Sequence, residues 1–479
     1  MFTIRRITRL ALLVVTMVLA AMPVAAGGIR VENVVFFAPR ESPDVMRATF
    51  DISWENAWRN DRNHDAAWVF LKLQREDGSY IHIRVAPEGH RIIQLPGRPR
   101  IEGEIAHVDG GTGIFVRPSE RHRRDVAWRV SVDFHPDDID EALVTGVIRV
   151  FAIEMVYVPE GPFEIGDSDA TSVGFGSYYE AGPGGTPRAR FRVDSERAVA
   201  VGPEEGRLHY VAAEYVGDAQ GPVPAAFPKG YTAFYVMKYE LSQGQYVAFL
   251  NSLAAGVVAE RVNFLDETYY DKRGTISFED DAYVARRPER PMNFITWDDG
   301  LAFTDWAGLR PMTDFEFTKA ARGPESPGPG AFPWGTSSRD ALARFVGPDD
   351  DLILAGGWTE DQLTDETREV FGASYYWVMD LAGSVWERVI TAGQSDGRRF
   401  EGSHGDGILS EAARATNEDW PHTWAEQEGH GYRGGGFYDQ GRASHEFNPY
   451  SPVSYRPFGA WSGADPHRAY GYRAARTAR

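Results

Sequence analysis

The chain of 479 residues contains no cysteine. Disulfides are therefore excluded, and so is every site that needs a thiolate: a nucleophilic or redox cysteine, a Cys-ligated zinc, or a copper(I) centre built on sulfur. Positive charge is also scarce. Lys and Arg number 50 against 69 Asp and Glu, a formal net charge of −19. That leaves no basic stripe for phosphate, so neither nucleic acid nor an anionic membrane surface is an expected partner. Histidine is unevenly spread, with none between 210 and 403 and His404, His422, His430, His445 and His467 close to the C-terminus. Long apolar runs are missing except at the start, where Leu10 to Ala21 is too short to span a bilayer. Arg5, Arg6 and Arg9 precede that run, and Val24 and Ala26 suit cleavage before Gly27, the pattern of an export signal over 1–26. The expectation is a mature chain in the periplasm or outside the cell, without stable membrane insertion.

What the sequence does contain is a packed, multi-domain composition, 43% hydrophobic. Two helices announce themselves at 296–323, TWDDGLAFTDWAGLRPMTDFEFTKAARG. Thr296 stands three residues before Asp299 and Thr313 three before Glu316, each a pair able to satisfy N–H groups of a first turn. Phe317, Ala320 and Ala321 fall on one helical face, Gly323 suits the stop, and Leu309, Pro311 and Met312 are expected to turn the chain between the helices. Ser242 and Gln245 open a further helix carrying Tyr246, Phe249, Leu250 and Leu253, after a strand over 234–238.

From 27 to 152 the period is two. Met46, Ala48, Phe50, Ile52 and Trp54 alternate with polar residues, as do Val126, Trp128, Val130, Val132 and Phe134; Ile81, Ile83 and Val85 repeat the pattern, and 67–73 and 147–153 are shorter apolar runs. About seven strands joined by turn-rich connections suggest a β-sandwich. Trp54, Trp58 and Trp68, with Asn56, Asn60, Asn63, His64 and Asp65 nearby, suit either a sugar or peptide platform or core tryptophans beside a polar loop. The region 167–229 reads as a long loop-rich insertion, with GSYYEAGPGGTPR as loop, suited to a lid or partner-binding arm. Asp349, Asp350 and Asp351 form either a solvated turn or a cation site, without the spacing of an EF-hand.

Five ordered blocks carry a family resemblance: MVYVPEGPFEIGD at 155–167, FYVMKYELSQGQYVAFLN at 234–251, PMNFITWDD through DWAGLRPMTDFEFTKAARG to FPWG at 291–335, DLAGSVWE at 380–387, and YRGGGFYD at 432–439 with YGYRAAR at 470–476. Together they resemble the formylglycine-generating enzyme, or sulfatase-modifying factor, family. The resemblance implies an α+β fold related to C-type lectins over 153–479, preceded by the accessory β-sandwich at 27–152.

The family's enzymes hold copper(I) between two cysteines shortly after the YRGGG-like block. Here those positions fall near Asp439 and Ser444, neither a thiolate, so the resemblance implies a member lacking the catalytic cysteines, and no copper is expected. It also implies structural calcium, drawn from Ser384, Val385 and Glu387 of the G-S-V-W-E block, where carbonyls and a carboxylate offer hard oxygens. A second calcium site in the family uses an asparagine where ARFVG at 343–347 places Arg344, which cannot ligate a cation but replaces its charge. A strand is expected over 375–389.

Ser403, His404 and Asp406 lie close in sequence, but a triad is a spatial arrangement and adjacency rarely makes one. The C-terminal aromatic and arginine-rich surface is the remaining asset. Tyr432, Phe437, Tyr438, Arg442, His445 and Trp461 are the candidate contacts for a protein, peptide or glycan ligand, within 432–461. The leading expectation is thus a binding or cell-envelope structural protein without oxidase activity. The alternative is an oxygen-using enzyme of non-haem iron type, drawing on His430, Asp439, His445 and Glu446.

Overall fold

A computed structural model of the chain describes residues 28–40, 45–74, 78–97, 100–135, 147–262, 273–347, 351–436, 451–463 and 465–478. The two capped helices are Trp297–Trp306 and Asp314–Arg322. Thr296 Oγ1 accepts the Asp299 N–H at 3.0 Å while Asp299 Oδ2 accepts the Thr296 N–H at 2.8 Å, and Thr313 and Glu316 repeat the exchange at 3.1 and 3.0 Å. Ser242 and Gln245 do the same ahead of Gln243–Leu250. Each cap satisfies N–H groups that a helix leaves open, worth about 1 kcal/mol.

Every residue from Asp314 to Arg322 is buried, so the polar ones need partners inside the protein. Glu316 accepts from Arg310 at 2.8 and 2.5 Å, and Asp314 accepts the Tyr178 hydroxyl at 2.8 Å. Arg310 thereby shapes the connection between the helices. Rather than turning freely, Arg310–Pro311 forms a two-residue strand beside Ala474–Thr477, at a sheet edge where the N–H that proline lacks is not needed. Gly323 ends the second helix at φ +64°, and a Cβ there would strike the Tyr375 ring.

Strands make up most of the remaining regular structure. One sheet has four, in the order Arg30–Phe37, Met46–Trp54, Val126–Phe134, Arg91–Gln94. A larger antiparallel sheet runs Arg310–Pro311, Ala474–Thr477, Phe234–Met237, Ile148–Val158, Asp65–Gln74, Ile114–Pro118, Gly103–His107, with Tyr80–Ile83 also on Asp65–Gln74. The four-stranded sheet faces the N-terminal strands of this one across a core that includes Phe50, Trp54, Val69, Leu71, Trp128 and Val130.

The expected boundary between 152 and 153 needs correcting. It falls within Ile148–Val158, which pairs with Asp65–Gln74 on one side and Phe234–Met237 on the other, so the N-terminal strands do not close a separate sandwich. The apolar run 67–73 shows why. Ala67, Val69, Leu71 and Leu73 face the four-stranded sheet, whereas Trp68 and Phe70 face the helical side, with Phe70 edge-on to Trp306 at 5.1 Å. A strand covered on both faces reads as a continuous apolar run.

Two other expectations change. Within 167–229, Tyr179–Ala181 and Pro187–Ala189 form a hairpin with Leu208–His209 along its other side, so GSYYEAGPGGTPR is not plain loop. The fully buried Lys229 side chain binds this insertion together, donating to the carbonyls of Glu196, Pro224 and Phe227 at 3.1, 2.6 and 2.9 Å. The strand expected over 375–389 starts only at Trp386 and runs to Ile390, because Trp377, Asp380 and Ser384 adopt φ of +62°, +59° and +61°. Among the described residues no helix is long and apolar enough to cross a membrane.

Candidate functional site

The G-S-V-W-E block forms a loop that enters Trp386–Ile390, the middle strand of a three-stranded sheet with His430–Arg433 and Tyr470–Tyr472. Its acidic groups are already engaged. Glu387 takes Arg473 Nε and Nη2 at 2.9 and 2.7 Å in a pair wholly removed from solvent. Asp380 takes Arg344 Nε and Nη2 at 2.8 Å each, and although burial opposes its charge, Arg344 more than offsets this and holds the carboxyl below its usual range. Ser384 Oγ accepts from Arg273 at 3.4 Å. The Val385 N–H donates to Glu240 Oε1 at 3.0 Å. Burial, together with the Asp380 and Glu387 charges, pushes the Glu240 carboxyl well up.

The calcium set Ser384, Val385 and Glu387 therefore does not fit a divalent ion as arranged. The Glu387 oxygens face a guanidinium, and so does the Ser384 hydroxyl, leaving no hard-oxygen donor set among them. Asp351 is likewise committed, to Arg287 at 2.7 Å and to Arg290, while Asp349 and Asp350 lie outside the described residues.

Asp439 and Ser444, at the copper positions of the resemblance, also lie outside the described residues, as do Phe437, Tyr438, Arg442, His445 and Glu446. Of the remaining candidates, Tyr432 is corrected. It is 1% exposed, its hydroxyl donates to Gly463 O at 2.9 Å and accepts from Arg388 Nε at 3.0 Å, so it supports the surface from beneath. Trp461 is half-buried and packs on Tyr432 and Phe458 at 5.4 and 5.6 Å.

Residues that the sequence did not single out complete this surface. Tyr215, 40% exposed, meets Trp461 edge-on at 5.7 Å, and Phe175, 44% exposed, stacks on Tyr455 at 4.5 Å. Both belong to the insertion. Their chain neighbours Gly174, Gly176 and Val216 line a groove of about 560 Å3, together with Ala170, Val173, Pro187, Val211 and Ala213. The only sequence signal was a cluster of apolar residues, VAAEYV at 211–216, inside an otherwise polar stretch.

The histidines are dispersed. His430 is buried flat against Trp297 at 4.6 Å, and burial, with Arg388 nearby, drives it down to about 3, which keeps the ring neutral. His467, similarly lowered to about 4 by burial and by Arg468 and Arg388, lies over Tyr470. His404 Nε2 accepts the Thr477 N–H at 3.0 Å, while Ser403 Oγ bonds Asp419 rather than His404, so Ser403, His404 and Asp406 do not form a relay. Among the described residues no group of three His, Asp or Glu side chains is placed to hold a metal. The three tryptophans of 52–70 are core residues, none more than 3% exposed: Trp54 Nε1 donates to Asp65 and Trp68 Nε1 to Ala307 O, at 3.1 and 2.8 Å, and Trp58 packs on Trp377.

A formylglycine-generating enzyme of Bos taurus is 23% identical over 184 residues, covering 32% of this chain and 48% of that protein. Another, from Thermomonospora curvata, is 28% identical over 105 residues, covering 22% of this chain and 34% of that protein. The aligned segments thus span less than half the length of either relative. A family model described as "Sulfatase-modifying factor enzyme 1-like domain" matches residues 148–478, more than half of the chain, and begins where Ile148–Val158 begins. The chain therefore belongs to the sulfatase-modifying factor enzyme 1-like family.

Proposed function

We propose that this protein is exported to the periplasm or cell exterior and works by binding, as a ligand receptor or envelope component, without the oxidase chemistry of formylglycine-generating enzymes. The observation that carries this reading is the cysteine-free chain, with Asp439 and Ser444 at the copper positions of the resemblance. A carboxylate and a hydroxyl are hard ligands that hold copper(I) poorly, and no other residue of the chain supplies a thiolate. The ligand is an extended peptide segment of a protein, with apolar side chains entering the groove beside Val173 and Val216 and stacking on Phe175 and Tyr215. A glycan is the competing ligand class.

The test is an array of immobilised peptides and glycans probed with the mature protein, beside an assay with copper(I), oxygen and a cysteine peptide of sulfatase type. Capture of a peptide that weakens at least tenfold in Tyr215→Ala and in Val216→Asp, with no aldehyde formed from cysteine, is the expected result. Copper-dependent conversion of the cysteine sinks the proposal, and so does ligand capture that both substitutions leave unchanged.

A further inference from the structure

The loop 380–385 poses an electrostatic problem. Asp380 and Glu387 are buried acids, Glu240 is a third beside them, and Glu240 Oε2 has no hydrogen-bond partner among the described residues. The backbone is also held in an unusual shape, since Asp380 and Ser384 are non-glycine residues at φ of +59° and +61°. Such conformations persist only where the surroundings over-determine them. Something cationic must hold the loop closed.

Arg473 answers for Glu387. For Asp380 the cation comes from elsewhere in the chain. Arg344 lies on the hairpin of Arg344–Val346 and Leu352–Leu354, its side chain is 12% exposed, and its guanidinium grips both Asp380 oxygens while approaching Glu360 to 3.8 Å. Beside it is a cavity of about 10 Å3, roughly the room of one water, bordered by Arg344, Asp380, Ser384, Trp334 and Phe371. Guanidinium suits this duty because its fork matches a carboxylate and its charge does not titrate away.

We infer that the Arg344 side chain is the built-in cation of the 380–385 loop, taking the place of the calcium ion that the family resemblance implies, so that the loop keeps its shape without a divalent metal. Removing the guanidinium returns both Asp380 oxygens to the loop, next to Glu240 Oε2, which is already without a partner. Two carboxylates are hard-oxygen donors of the kind calcium takes, while Arg273 stays on Ser384 and Arg473 on Glu387. Arg344→Ala therefore turns a metal-independent loop into a calcium-dependent one.

The experiment measures thermal unfolding of the full mature protein, wild type, Arg344→Ala and Arg344→Lys, in EDTA and in millimolar calcium. Wild type is expected to melt at the same temperature in both. Arg344→Ala is expected to lose several degrees in EDTA and recover most of them in calcium, while Arg344→Lys, which keeps the charge but not the fork, falls between and gains little from calcium. A wild-type Tm that drops on chelation overturns the inference. So does an Arg344→Ala protein that calcium does not rescue. If Arg344→Ala does not fold in EDTA, soluble expression with calcium in the refolding buffer becomes the readout, and failure in both buffers counts against the proposal.

Discussion

Lys72 offers a stability experiment with a reversal of sign built into it. The side chain is wholly buried on Asp65–Gln74, where Nζ donates to Gly407 O at 2.9 Å and lies 5.2 Å from the centre of the Trp306 ring. Burial lowers the ammonium from 10.5 to about 7, against the pull of Asp305 and Asp406, while burial raises Asp305 to about 6. Both partners move toward neutrality, so desolvation outweighs their attraction. The folded-state pKa of Lys72 is depressed, so between pH 7 and 10.5 the unfolded chain binds the extra proton and stability rises with pH. At 1.36 kcal/mol per unit, the gain from pH 7 to pH 9 is about 2 kcal/mol.

Lys72→Met keeps the apolar stem but removes this titration, together with one hydrogen bond worth about 1 kcal/mol. At pH 7 the variant should be more stable than wild type by about 3 kcal/mol, and at pH 9 by about 1 kcal/mol, with the sign reversing only at about pH 10. Urea unfolding of both proteins at both pH values isolates the term, because other groups titrating in the window, such as Lys229 and Lys319 at about 8, cancel in the difference. If the two proteins respond to pH identically, or Lys72→Met is the less stable at pH 7, burial is not the dominant influence on this lysine and the reasoning fails.

Two further substitutions probe the frame of the fold. Lys229→Met leaves three carbonyls of the insertion without their donor, which should lower stability by about 3 kcal/mol and raise amide exchange across 194–229; Lys229→Arg is too large and planar for the same role and should not rescue it. Glu316→Ala removes both a cap and the partner of a fully buried Arg310, an expected loss of about 3–5 kcal/mol by thermal or urea melting, whereas an Ala substitution at Asp298, whose contacts are to the Thr423 turn, should cost far less.

The features legible in the sequence were those set by neighbours along the chain. Three capping pairs separated by three residues, at Ser242, Thr296 and Thr313, are present as read, because a side chain and a backbone N–H one turn apart meet whatever the rest of the protein does. The apolar positions of 46–54 and 126–134 likewise face the core as read, because one face of each strand is set by period alone, whereas on the other face Arg47 and Asp133 are buried against each other, which period does not show. Tertiary partners were invisible for the complementary reason. Glu387 was read as an oxygen ligand because nothing local to it reveals Arg473, 86 residues on. Tyr432 was read as a contact residue because an aromatic beside arginine looks the same on a surface as under one; only the Gly463 carbonyl and the Arg388 guanidinium decide between them. The groove failed to register because its lining is drawn from separated turns of the insertion, each too short to show a period.

The domain boundary failed for a more instructive reason. A change from strand-rich to loop-rich sequence near 152 marks a change in connection length, not in sheet membership, and Ile148–Val158 carries hydrogen bonds to both sides of it. Two side chains reinforce that continuity from the N-terminal strand Asp65–Gln74: Trp68 Nε1 reaches Ala307 O at the end of the first capped helix, and Lys72 reaches Gly407 O. An independent accessory module would have no use for buried polar bonds to its neighbour, since each becomes an unsatisfied group when the two part. The N-terminal strands are therefore part of the scaffold on which the capped helices rest. A truncation starting at 153 would cut the strand Ile148–Val158, remove its Asp65–Gln74 partner and uncover Trp306 and Ala307, on which Phe70, Phe151 and Trp68 rest, so the surface proposed near Tyr215 and Trp461 has to be tested in the full chain.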